Sequence, residues 1–111
     1  MAKANPSFLN GVPELLILQL LSNGERYGYE LVQAIRQGSG EAFAFGEGCI
    51  YPYLHYLEET KFVTSRRQAV EGRSRLYYRL TAKGQKRFAE LSKQWERVAK
   101  GVTLVLGGAH A

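Results

Sequence analysis

Residues 46–80 read GEGCIYPYLHYLEETKFVTSRRQAVEGRSRLYYRL, and the spacing of apolar residues changes partway through the stretch. Ile50, Leu54 and Leu57 recur at the intervals of one helix face. Beyond Lys61 the chain turns β-branched and aromatic, and Leu76, Tyr78 and Leu80 alternate with Arg75, Tyr77 and Arg79 as along a strand. A helix running into a β-hairpin is therefore expected, the segments KFVTSRRQA and SRLYYRL being joined through Val70, Glu71, Gly72 and Arg73. The helix is predicted to start near Gly48 or Cys49, which puts Pro52 in a first turn where a missing N–H costs little. Tyr51, His55 and Glu58 then fall on another face from the apolar stripe, beside Pro52, Tyr56 and Glu59. Such a helix front, with its free N–H groups pointing outward, suits a phosphate. The competing reading packs these tyrosines over a small core, and Tyr53 is the one most expected there.

Two more helices are expected upstream. GVPELLILQLLSNG carries Pro13 at a helix start and closes on Asn23-Gly24; it is apolar nearly all round, so a core helix is predicted, with a strand left open by its short length. In RYGYELVQAIRQGSG, the residues Gly28, Leu31, Val32 and Ile35 share one face, and Gly28 on that face would let another helix approach closely.

The charge is unevenly placed. The 111-residue chain carries a formal net charge of +5, yet residues 61–89 hold nine Lys/Arg against a single acid, Glu71. A basic segment of this kind points to an acidic polymer. Arg66, Arg67, Arg73, Arg75 and Arg79 are expected on the outer face and tip of the hairpin, with no acid but Glu71 to neutralise them. Charges also protect sheet edges, but they do so with mixed signs, and this ribbon is almost purely positive.

Three helices followed by a basic hairpin make an α+β, mostly α, chain: a winged helix-turn-helix. In that arrangement the third helix enters the major groove of double-stranded DNA while the ribbon follows the backbone or the minor groove. The predicted contact residues are Tyr27, Cys49, Tyr51, Pro52 and His55 near the helix front, and Arg66, Arg67, Arg73 and Arg75 on the ribbon.

After Thr81, a plausible N-cap, Phe88, Leu91, Trp95, Val98, Val102 and Val105 follow at heptad spacing. The small core is complete without it, so this stripe is assigned to a second copy of the chain, a homodimer whose two reading helices would meet a palindromic operator. Folding back onto its own domain is the other option. The expected layout is a DNA-binding domain at 1–80, a long C-terminal dimerisation helix at 81–106 and a disordered tail at 107–111. Gly84 and Gly101 are expected to weaken the helix slightly.

Other classes find little support. One cysteine and two histidines supply no zinc spacing, and no nucleophile, base and orienting group can be assembled, so neither a metal, nor a cofactor, nor an enzyme is expected. No apolar run approaches a membrane span and no secretory leader is visible, which predicts no membrane partner and a cytoplasmic, nucleoid-associated protein. The alternative function is a winged-helix protein-interaction module with only non-specific DNA affinity.

The stretches LLILQLLSNGERYGYELVQAI, EGCIYPYLHYLEETKFV and RSRLYYRLTAKGQKRF together resemble the PadR family of bacterial transcriptional regulators across nearly the whole chain. The resemblance rests on Tyr27-Gly28-Tyr29-Glu30, the turn from Gly48 to Pro52, Leu54 and Leu57 before Glu58, and Arg75, Tyr77, Tyr78, Leu80, Thr81 and Gly84 in order. It implies a dimeric winged-helix repressor of the small subfamily, often released from DNA by a small molecule or stress signal. By the same resemblance, Trp95 is the candidate platform for a small aromatic effector at a dimer interface. Cys49 at a helix front raises the separate idea of an oxidant-sensing thiol of lowered pKa. Two departures stand out: Cys49, His55 and Tyr56 occupy positions where the family commonly has Thr and basic residues, and Glu59-Thr60-Lys61 lacks the glycine usual before the first strand.

Overall fold

The computed structural model describes residues 11–107. The elements run α1 (Val12–Ser22), β1 (Arg26–Tyr27), α2 (Gly28–Gly38), α3 (Glu47–Glu59), β2 (Val63–Val70), β3 (Arg73–Leu80) and α4 (Ala82–Val105). The expected tail at 107–111 lies, Gly107 aside, outside the described residues, as do the first ten residues of the expected DNA-binding domain.

The first segment is a helix, with Pro13 in its first turn. Its buried residues Ile17, Leu18 and Leu21 meet Leu31, Val32 and Ile35 of α2 and Ile50, Leu54 and Leu57 of α3 in one core. The stripes read from periodicity in α2 and α3 thus become the inward faces of those two helices. Phe45 from the α2–α3 loop closes the core, with Phe43 stacked on it at 5.4 Å between ring centroids.

The sheet has three strands, in the order β1-β3-β2, where only a two-stranded hairpin was expected. Arg26 pairs with Tyr78 and Tyr27 with Tyr77, both antiparallel. A two-residue strand is too short to show alternation, which is why periodicity misses it. The hairpin turns through Glu71 (φ 50°) and Gly72 (φ 76°), two consecutive positive φ values that suit a two-residue loop between twisted strands.

α3 starts earlier than expected, at Glu47, so Pro52 stands inside the helix, in its second turn. Pro52 has no N–H to offer the carbonyl of Gly48, four residues back, and its ring crowds that carbonyl. A Cβ at Gly48 would meet nothing within 4 Å, so the ring is accommodated without any need for a glycine at that position. The helix exit keeps the geometry that a glycine would give. Lys61 N–H donates to the Glu58 carbonyl at 3.1 Å and Phe62 N–H to that of Leu57 at 2.9 Å, with Lys61 itself held at φ 69°.

α4 is capped by Thr81, whose hydroxyl accepts from Gly84 N–H at 3.0 Å. Gly84 is more than a weakness in the helix: a Cβ there would overlap the backbone carbonyl of Phe62, so α4 packs this closely against the α3–β2 connection only because position 84 has no side chain. Arg87 fastens the same turn to α1, its Nε donating to Glu14 Oε2 at 2.9 Å. Phe88 and Leu91 are half-buried against the core of their own chain. Further along, the stripe is uncovered, with relative exposure rising from 49% at Trp95 to 88% at Val105.

Candidate nucleic-acid interface

The apolar stripe of α3 faces the core, and this fixes where its other side chains go. Tyr51 leans toward α2 and lies against Gly28, where a Cβ would overlap its ring. Burial, followed by the nearby charge of Glu47, pushes the Tyr51 phenol pKa up. His55 and Pro52 are exposed, one turn apart or less on the same helix. α2 is anchored at its start by Tyr27 N–H, which donates to Glu30 Oε1 at 3.0 Å.

Strand register sorts the wing arginines onto two faces. Residues directly opposite in an antiparallel pair share a face. Arg66 pairs with Tyr77 and Gln68 with Arg75, which places Arg66, Arg73, Arg75 and Arg79 on one side of the sheet. Arg67 pairs with Leu76 and belongs to the other side, toward the helices, so the expectation of a single outer face holding all five arginines is corrected. Arg67 Nη1 donates to Ser74 Oγ at 3.4 Å. Between the wing and α3 runs a groove of about 340 Å³, bordered by Tyr51 and His55 of α3, by Arg67 from the inner side of the sheet, and by Tyr27 and Arg75 from its outer side. Five of the nine predicted contact residues therefore share one groove.

The other four are distributed differently. Arg73 is exposed at the wing tip, and neither it nor Arg75 has an ion-pair partner among the described residues. Pro52 is on the surface of α3 but not in the groove lining. Cys49 is half-buried against the core, and burial pushes its thiol pKa up. That direction disfavours the thiolate and runs against a lowered pKa at this helix front.

Arg66 departs most from expectation. Its Nε and Nη2 donate to the two carboxylate oxygens of Glu25 at 2.8 and 2.6 Å, a bidentate pair across 41 positions of sequence. The expectation that only Glu71 could neutralise the ribbon is thereby corrected. Glu25 sits in the α1–β1 connection, and β1 brings it alongside β2 across β3. The Arg66 guanidinium holds the Glu25 carboxyl below the usual carboxylate range. Nothing in the spacing of the sequence links these two residues; the link is the third strand.

The sheet's outer side carries aromatic rings among these cations. The Arg66 guanidinium lies 5.4 Å from the Tyr77 ring centroid, Tyr77 meets Tyr27 edge-on at 5.6 Å, and Arg75 covers Tyr27 at 4.3 Å. These contacts hold the long side chains of Arg66 and Arg75 in place over the sheet. Among the described residues no three His, Cys, Asp or Glu side chains gather as a metal site, and no helix is long and apolar enough to cross a membrane.

Residues 17–90 match the profile of the family described as Transcriptional regulator PadR-like family. The chain belongs to that family. Among solved structures, a PadR-like transcriptional regulator from Bacillus cereus is similar, with a TM-score of 0.80 and 32% identity over 92% of this chain and 98% of its own. A transcriptional regulator from Clostridium thermocellum gives a TM-score of 0.81 and 30% identity, covering 88% of this chain and 96% of the other. Transcriptional regulator YqjI of Escherichia coli is 31% identical over 102 residues, which is 92% of this chain and 48% of that protein. The chain thus spans about half the length of that relative. PadR regulators act on transcription, and the helix–sheet architecture described above is the winged helix-turn-helix they share.

Proposed function

We propose that this PadR-like regulator is a repressor that binds a palindromic operator as a homodimer. The observation that carries the reading is the groove that Tyr51 and His55 of α3 share with Arg67 and Arg75 of the wing. A duplex seated there would meet base-reading side chains from the helix and phosphate-binding cations from the ribbon together. Arg73 at the tip adds a phosphate contact further along the backbone. The uncovered stripe of α4, from Trp95 to Val105, supports a second copy as its partner. Trp95 also borders a recess of about 330 Å³ with Val12 and Leu15, and a flat aromatic effector is proposed for that place.

Selection of bound fragments from a genomic library, followed by titration of the enriched sequence at several salt concentrations, tests the reading. Enrichment of a two-fold symmetric sequence, with affinity falling steeply as salt rises, is the expected result. Arg73→Ala should weaken binding to all duplexes alike, and His55→Ala should weaken the selected sequence more than others. Failure to enrich any fragment, together with weak and sequence-blind binding, would favour a protein-docking module. A monomer in sedimentation at micromolar concentration would remove the dimer.

A further inference from the structure

The wing carries a cation that is already occupied. Arg66 is half-exposed on the outer side of β2, next in sequence to the groove residue Arg67, and Glu25 fills its planar fork with both carboxylate oxygens. A carboxylate held in that bidentate manner presents the guanidinium with the geometry a phosphate would present. Arg66 also lies over Tyr77, which keeps its side chain along the sheet rather than free in solvent. Arg73 and Arg75, by contrast, have no ion-pair partner among the described residues.

We propose that Glu25 is an internal competitor for the DNA backbone: it occupies Arg66 in the free protein and gives it up to a phosphate when the wing meets a duplex. The proposal rests on the DNA-binding reading above and adds a residue from outside both the helix and the wing. Glu25 sets how many of the ribbon's cations are available and so lowers affinity for all sequences without touching DNA. Exposure of the pair makes the exchange feasible, because a solvent-accessible ion pair is weak enough for one phosphate contact to replace it.

The test uses a random-sequence 30-base-pair duplex, so that it needs no knowledge of the operator. Affinity is measured by fluorescence anisotropy across a salt series for the wild type, Glu25→Gln, Arg66→Ala and the double variant. Glu25→Gln should bind roughly two- to fivefold more tightly, the factor corresponding to the surface ion pair no longer given up. Arg66→Ala should flatten the slope of log affinity against log salt by about 0.9, one phosphate contact. The double variant should match Arg66→Ala alone. If Glu25→Gln equals the wild type, or if its gain persists without Arg66, the competition is overturned, the second result meaning that loss of an acidic charge acts by itself. A wild type that binds this duplex without salt dependence would instead overturn the DNA-binding reading.

Discussion

The ring of Tyr51 rests on the backbone of Gly28, so the front of α3 and the start of α2 touch where only a residue without a side chain fits. Gly28→Ala should gain about 1 kcal/mol of helix propensity and lose more than that by displacing the ring, a typical overpacking cost being about 1–3 kcal/mol. In a Tyr51→Leu background the same change should become neutral or stabilising. Chemical denaturation of the four members of this cycle measures the coupling, and additivity would mean that the contact is unimportant.

Lys61 adopts a left-handed conformation at the end of α3, with both closing hydrogen bonds made. A side chain there costs about 1 kcal/mol or more. Lys61→Gly should therefore raise stability by about 0.5–1 kcal/mol, part of the relief being offset by the freer unfolded chain. A rise in the urea midpoint at unchanged m-value checks it.

Glu14 is buried in α1 and meets Arg87 of α4, which is itself mostly covered. Arg87→Ala would leave that carboxylate without its partner and should cost about 2–3 kcal/mol. Replacing both residues by apolar ones, Glu14→Met with Arg87→Leu, should recover most of the loss. Thermal unfolding followed by circular dichroism compares the three proteins.

Tyr78 is buried in β3 beneath the core, and burial pushes its phenol pKa up, with Glu58 adding to the shift. A group whose folded pKa is raised keeps its full contribution below the unfolded value and loses it as pH climbs toward the folded one. Stability should thus be flat with respect to this group until about pH 10, the unfolded tyrosine value, and decline above it. Tyr78→Phe should lessen that alkaline decline. Urea midpoints measured from pH 8 to 11 decide the matter.

Patterns with a period were legible in the sequence, and the pairings that depend on tertiary contact were not. The apolar faces of α2 and α3 emerge directly from spacing, because a helix buries residues at fixed intervals and nothing else in those segments competes. The hairpin follows from alternation ending at Glu71-Gly72. β1 escapes because two residues carry no period, and with it go the Glu25–Arg66 pair and the Tyr27–Tyr77 contact. The packing role of Gly84 has no signal in the spacing either, since the carbonyl it makes room for belongs to Phe62, 22 positions earlier. The sorting of Arg66 and Arg67 to opposite sides needed the register itself: adjacent strand residues point apart, but only the pairing says which one faces the helices.

Tyr27 ends β1 and caps α2 with no residue between them, while its backbone pairs with Tyr77 of the wing. A sideways push on the hairpin has no slack to absorb it there. It must either unzip a two-residue pairing or swing α2 as a lever, and through the ring seated on Gly28 that swing reaches the neighbouring rod. Ribbon and rods thus share a single joint, at Tyr27.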